Sequence, residues 1–395
     1  MGCGEIYAWS RHDASNVEKI LFVTNDFGPR AGGIETFIIG LTVRLPKNCV
    51  IVFTSSQGDT AAYDLAWQRD FGVRIVRDKS KVLLPLPRIA RAIGRLAREN
   101  AVKTACFGAA APLGLLAPTL RRAGVKRIVA LTHGHEVWWA KIFPFSLAIR
   151  RIGTSVDSMT YLGEFTKQAI AKALPQDARN AMVKMTPGID VAHFSPDTNS
   201  AALRQELGLA DKAVIVSVGR LVHRKGQDRL IEALPQIQKA VPNVHLLLVG
   251  QGPYRNTLEK IAKKAGVIRA ITFIGRVPYE QLPRFIRVGD VFAMPSRSRL
   301  AGLEVEGLGI VYLEASACGL PVIAGNSGGA PDAVIEGKTG FVIDGTNIDS
   351  IANAAITLLS EPDLAKAMGA NGRDWIVKEW SWNLWAAEFA KALEI

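Results

Sequence analysis

Short apolar runs rich in β-formers alternate with helix-period segments along most of the 395 residues. KILFVTN (19–25) reads as a strand, followed by the turn-rich DFGPRAGG (26–33) and the helical pattern IETFIIGLTVRL. VIVFTSS (50–56) and KRIVALTHGHE (126–136) contain later strands of the same half. PGIDVAHFSP (187–196), bracketed by prolines, reads as a linker, after which the pattern restarts. AVIVSVGRL (213–221), VHLLLVG (244–250), ITFIG (271–275), DVFAMPS (290–296) and PVIAG (321–325) are strands of the second half, with a helix over 228–241 and another in IVYLEASACG. Strands alternating with helices predict parallel βαβ units. The expected fold class is α/β, with two Rossmann-like domains facing across a cleft. The expected boundaries are a disordered tail at 1–18, an N-terminal domain at 19–188, a C-terminal domain at 189–373 and a helix at 374–395 returning to the first domain. In KEWSWNLWAAEFAKAL (378–393), Trp380, Trp382 and Trp385 are expected to pack that helix across both domains.

Length agrees with two domains, since one domain averages ~150 residues. A hydrophobic fraction of 48% with 21% charged residues fits a folded globular chain. There is no apolar run of the roughly 18 residues that a membrane span requires. The opening MGCGEIYAWSRHDAS lacks the apolar core of a secretory signal. Gly2 and Cys3 hint at acylation, but Ile6 stands where that pattern wants Ser or Thr. Cys3, Cys49, Cys106 and Cys318 have no metal-type spacing and fit a reducing compartment.

Charge changes the picture. The formal net charge is +12, and residues 1–190 hold 26 Lys/Arg against 15 Asp/Glu, whereas the remainder is nearly balanced. A basic first half suggests an anionic partner, phospholipid headgroups or nucleic acid. Arg88, Arg91, Arg95 and Arg98 share one face of a helix, with Ile89, Ala92, Ile93 and Leu96 on another. That pattern suits a membrane surface, the alternative being a solvated helix face.

In open α/β sheets, ligands bind beyond the carboxyl ends of the strands, so the polar residues there are the candidates. Gly32 and Gly33 precede a helix start, where backbone N–H groups can meet an anion or simply make a turn. The dinucleotide fingerprint GxGxxG is absent from this turn, and so is its acidic ribose ligand. Arg220 and Lys225, in GRLVHRKGQ, suit phosphate, with Asp228 following in the first turn of a helix. His133 and His135, in HGHE, lack a third metal ligand nearby, so a hydrogen bond to substrate or a packed structural role is expected for His133. EGLGIVYLEA (306–315) sets Glu306 just before a helix and Glu314 about two turns along it. Glu306 is explicable by helix-end electrostatics alone. Glu314, on a small-residue helix, needs a partner if buried. Carboxylates for hydroxyls together with cations for phosphate make a nucleotide-sugar site.

GGIE, GRLVHRKG, LLLVGQGP, FIGRV, MPSR, EGLGIVYLEA and GNSGGAPDAV occur in this order. This series resembles the retaining GT-B glycosyltransferases of family 4, from about residue 19 to the end. Within that family GPRAGGIETF, HGHE and the basic first half resemble the actinobacterial phosphatidylinositol-mannoside mannosyltransferases, above all those adding the second, α-1,6-linked mannose from GDP-mannose.

The resemblance implies roles for particular residues. Gly32 and Gly33 would bring N–H groups to the donor diphosphate, and Arg220 and Lys225 would neutralise it as it leaves. No metal is then needed, in keeping with the absence of a DxD triplet, and no cofactor beyond the donor. His133 would meet the sugar near the reacting carbon, with His135 as its neighbour and competitor for that role. The backbone at Arg276 and Val277 would read the base. Glu306, with Gly307, Leu308 and Gly309, would hold the transferred sugar, and Glu314 the ribose. Leu308 replaces the family's usual aromatic residue. The implied partners are GDP-mannose, a phosphatidylinositol mannoside and an anionic membrane, with no nucleic acid. The implied location is cytoplasmic, peripheral on the inner face of the plasma membrane. A family-4 transferase with another donor or acceptor, a nucleotide-sugar epimerase of the same fold, an NAD-dependent dehydrogenase and a non-enzymatic basic binding module are the competing readings.

Overall fold

The computed structural model describes residues 18–30 and 32–395. The expected tail at 1–18, with Gly2 and Cys3, lies outside the described residues except for Glu18. The chain divides into two compact units. One comprises the described residues up to Gly188 together with Trp382–Ile395, and the other, among the described residues, is the continuous segment Ile189–Ser381.

The first unit is built on seven parallel strands: β1 (Ile20–Thr24), β2 (Val50–Thr54), β3 (Arg74–Arg77), β4 (Thr104–Phe107), β5 (Arg127–Ala130), β6 (Ser158–Tyr161) and β7 (Val183–Lys184), in the order β3-β2-β1-β4-β5-β6-β7. β1 is buried along its whole length, as expected of a central strand covered by helices on both faces. The second unit has six parallel strands: β8 (Ala213–Val218), β9 (Val244–Val249), β10 (Ile271–Gly275), β11 (Val291–Met294), β12 (Val322–Gly325) and β13 (Gly340–Ile343), ordered β10-β9-β8-β11-β12-β13. Strand order reverses between β1 and β4 in the first sheet and between β8 and β11 in the second. Those reversals are the switch points at which such sheets open a crevice for ligands.

The chain end differs from expectation. Residue 374 falls inside the helix Pro362–Glu379, and a separate helix, Trp382–Leu393, begins after a break at Trp380 and Ser381. Trp380 belongs to the second unit and packs on Trp375, with ring centroids 5.4 Å apart. Trp382 and Phe389 belong to the first, where they lie 6.4 Å from Phe37 and 5.9 Å from Phe22. Arg127 Nε donates to the Ala392 carbonyl at 2.9 Å, tying the same helix to β5.

The arginine helix also needs correction. It spans Pro87–Glu99, but Ile89, Ile93 and Leu96 are buried in the core of the first unit, so no apolar face is left for a bilayer. Arg88 is held by Asp78 at 2.6 and 2.8 Å, whereas Arg91, Arg95 and Arg98 point to solvent. Periodicity shows that a helix has an apolar side without showing what covers it. The free cysteines Cys49, Cys106 and Cys318 are all buried.

Candidate active site

In the second unit, the loops after β8 and β11 flank the switch point and between them hold Arg220, Arg224, Lys225, Arg297 and Glu306. A short 3-10 turn, His223–Lys225, follows β8 and ends at Gly226, whose φ of 76° favours glycine. A Cβ there would lie 1.9 Å from the Pro295 carbonyl, so this glycine lets the two loops touch. Lys225 is buried, and its Nζ lies 2.8 Å from Glu306 Oε2. Arg224 Nη1 reaches the same oxygen at 2.6 Å. Burial alone would push the Glu306 carboxyl up, but Lys225 and Arg224 overcome it and hold the group below its ordinary pKa, ionised at neutral pH.

The structure therefore changes the account of Glu306. It lies on the loop before the helix Ile310–Ala317, as expected, but the charges it meets are two cations rather than a helix end. Its backbone is fixed as well: Glu306 N–H donates to Ser327 Oγ at 3.2 Å, and its carbonyl accepts from Gly329 N–H at 2.8 Å. Gly309, with φ 78°, caps the helix where a Cβ would strike the Tyr312 ring at 2.4 Å. Leu308 is buried.

Glu314 lies inside the helix, buried, with Oε2 lacking a hydrogen-bond partner among the described residues. Burial pushes its carboxyl up to about 7. An unfolded glutamate loses its proton near pH ~4.3, so between that pH and about 7 the folded state binds more protons. Glu314 thus lowers stability as pH rises through this window, and the whole penalty is present above it. Glu314→Gln is expected to stabilise the protein by up to about 3 kcal/mol at pH ~8, with the gain vanishing below pH ~4.3. Urea midpoints of both proteins across that range check it; a gain independent of pH contradicts the assignment.

Two residues that sequence reasoning passed over join this cluster. Arg224 is one. The other is Arg297, buried and paired with Asp228 through two contacts of 2.9 and 2.6 Å. Arg297 N–H also donates to the Arg224 carbonyl at 2.9 Å, so the loop after β11 grips the turn that carries the cations. Arg220 is exposed and forms no ion pair among the described residues. Arg276 is exposed and Val277 partly buried, just beyond β10.

Gly32, Gly33 and His133 lie in the first unit. Gly32 precedes the helix Gly33–Thr42, and a Cβ on it would fall 2.3 Å from Glu35 Oε2. Glu35 is buried and held by Arg30 at 2.7 Å. His133 follows β5, with its ring edge-on to Phe37 at 5.6 Å and its backbone N–H donating to Glu136 at 2.9 Å. Its Nε2 faces the Gly108 carbonyl, which can only accept, so Nε2 carries the proton and Nδ1 is the bare nitrogen. Burial holds this imidazole below its ordinary pKa, hence neutral at pH 7. His135 stacks beside it and reaches Glu136 at 3.2 Å. Among the described residues, no group of three His, Cys, Asp or Glu is arranged to hold a metal ion.

Residues 199–375 match the family model for group 1 glycosyl transferases. A relative from Mycolicibacterium smegmatis, named GDP-mannose-dependent alpha-(1-6)-phosphatidylinositol monomannoside mannosyltransferase, is 46% identical over 95% of this chain and 98% of its own. The chain belongs to the group 1 glycosyltransferases. A Corynebacterium glutamicum relative, whose name specifies the monoacylated form of that acceptor, is 40% identical over 95% of this glycosyltransferase and 98% of its own length. Among solved structures, Anabaena HepE in complex with UDP matches with a TM-score of 0.80 at 21% identity, over 95% of this chain and 99% of that one. Sucrose-phosphate synthase from Thermosynechococcus elongatus matches at 0.75 and 20%, over 95% and 98%. This glycosyltransferase has the GT-B fold, with a Rossmann-like sheet in each unit.

Proposed function

We propose that this glycosyltransferase moves mannose from GDP-mannose to phosphatidylinositol monomannoside, forming the second, α-1,6-linked mannose with retention at the anomeric carbon. The observation that carries the reading is the convergence of Arg224 and Lys225 on the buried Glu306 at the switch point of the second sheet. The near full-length relatives named for this reaction support the choice of donor and acceptor. Two cations beside a carboxylate suit a sugar diphosphate: the cations turn to the diphosphate as it arrives, and Glu306 turns to the sugar hydroxyls. Arg220, exposed at the start of the same loop, adds a third positive charge. Glu314 takes the ribose hydroxyls, the backbone at Arg276 and Val277 meets the base, and Gly307, Leu308 and Gly309 shape the sugar-binding loop. Gly32 and Gly33 offer N–H groups to the diphosphate, and the neutral His133 meets the sugar.

In the transfer itself, the bond from the anomeric carbon to the β-phosphate oxygen breaks as the bond to the acceptor hydroxyl forms on the same face. The acceptor's proton passes to the departing phosphate oxygen, and GDP leaves. Fixed cations stabilise the diphosphate charge as it develops. On this reading neither a metal nor a cofactor takes part. The enzyme works peripherally at the inner face of the plasma membrane. Arg91, Arg95 and Arg98 meet anionic headgroups. Among the described residues, no helix is long and apolar enough to cross a membrane.

Product analysis with GDP-mannose and phosphatidylinositol carrying zero or one mannose tests this directly. One mannose is expected to be added to the monomannoside and none to bare phosphatidylinositol. Calorimetry is expected to rank GDP above UDP and NAD; tighter UDP or NAD binding overturns the donor assignment.

A further inference from the structure

Three large apolar side chains stand out from one corner of the first unit. Phe143 is 76% exposed, Leu147 54% and Phe145 37%. They lie where the helix Glu136–Lys141 gives way to the helix Phe145–Gly153. The second helix already buries Ile149 and Ile152 in the core, so Phe143 and Leu147 contribute little to its packing. Nor is the corner loosely built. Phe145 sits edge-on to both Trp138 and Trp139, each at 5.0 Å, which ties the start of the second helix to the first.

One exposed apolar side chain on a protein surface needs no explanation, but a cluster projecting from a turn does. What surrounds it points to the occupant. Lys141, Arg150 and Arg151 are exposed around the corner, and the two arginines form no ion pair among the described residues. An apolar tip inside a basic collar fits the interface of an anionic bilayer, where rings and aliphatic chains enter the acyl region and cations stay with the headgroups. A second copy of this chain fits less well, because a symmetric contact would bring like-charged collars together.

We propose that the 141–151 corner is a bilayer insertion element: Phe143 and Leu147 enter the acyl region of an anionic membrane while Arg150 and Arg151 hold its headgroups. The inference rests on the lipid-acceptor reading above and adds to it a second, apolar point of attachment besides the arginine helix. Both the corner and the loop before the arginine helix follow carboxyl ends of strands in one sheet, β5 and β3. The corner is also close to the chemistry in sequence and space. His135 and Glu136 start the six-residue helix that ends at Lys141, a length of about 9 Å. Insertion at the far end of that helix therefore sets the height of the histidine pair above the headgroups, where the inositol and its mannose lie.

The test is co-sedimentation of the full-length protein with phosphatidylcholine vesicles containing roughly one-third phosphatidylinositol. The Phe143→Ser/Leu147→Ser variant is compared with the parent, and both are assayed on a water-soluble acceptor lacking acyl chains. The variant is expected to partition on the order of tenfold or more weakly although the arginine helix is intact. Its transfer to the soluble acceptor should be unchanged. Arg150→Glu/Arg151→Glu should weaken binding on anionic vesicles and leave it unaltered on pure phosphatidylcholine. Parent-like partitioning of the Ser variant overturns the proposal, as does light scattering that shows a parental dimer converted by it to a monomer. Failure of the parent to use either acceptor, with partitioning still lost in the variant, would sink the transfer reading and leave the insertion element standing.

Discussion

Lys225→Ala is expected to lower kcat/KM for mannose transfer by on the order of 10²–10³-fold. In the resting site Lys225 and Arg224 share one oxygen of Glu306, at 2.8 and 2.6 Å. On the proposed mechanism the same cations face the diphosphate when its negative charge grows. A fixed, largely desolvated ammonium interacts with that charge far more strongly than one in water. Removing Lys225 leaves Glu306 still paired with Arg224, so the variant should fold and melt close to the parent. That separation of activity from stability is what makes the measurement informative. Lys225→Arg is expected to restore little, because the lysine is buried and a planar guanidinium is wider than a point ammonium. Initial transfer rates at GDP-mannose concentrations well below KM read the effect. A loss below about tenfold would place the diphosphate charge on other residues.

Arg297→Ala should act chiefly on stability, by about 3–5 kcal/mol. Both side chains of its pair are nearly sealed from solvent, Arg297 at 6% exposure and Asp228 at 8%. Without the guanidinium, the one side-chain hydrogen bond left to Asp228 among the described residues is that from the Tyr254 hydroxyl at 3.3 Å, which does not neutralise a buried carboxylate. Urea unfolding measures the loss. Removing the second charge as well, in Arg297→Met/Asp228→Asn, is expected to recover much of it, since an unpaired buried charge costs more than an absent pair. If the single and double variants are equally destabilised, the cost comes from packing rather than from the stranded aspartate.

These two residues also show how much the sequence discloses. Lys225 and Glu306 can be found from the polar residues just past the carboxyl end of each strand, because a cation before a helix and an acid before another have few structural reasons to be there. Arg297 escapes that search. Its partner is 69 residues away in sequence, and only the abutment of two loops makes them a pair. Arg224, adjacent to Lys225, reads in sequence as one more surface cation.

Among the strands, β8 and β9 are legible almost to the residue because six-residue runs such as AVIVSV and VHLLLV have few other uses. β3 and β4 are not. RIVR and TACF are four residues long, and the first lies at a sheet edge with its arginines partly solvated. The arginine helix is legible as a helix, yet its partner surface is not. Its apolar side meets the core, whereas a less conspicuous turn, IFPFSL, leaves its aromatic side chains in solvent.

The division of the chain into Ile189–Ser381 and the two segments around it has a consequence for biosynthesis. The first unit leaves the ribosome early but lacks Trp382 and Phe389, which fill gaps beside Phe37 and Phe22. Its core is completed only by residues 382–395, which are translated after the whole of the second unit. The second unit, continuous in sequence, can close while synthesis is still under way. The half that emerges first is thus finished last, and a nascent chain stalled before residue 382 exposes the apolar helix face that Trp382–Leu393 would otherwise cover.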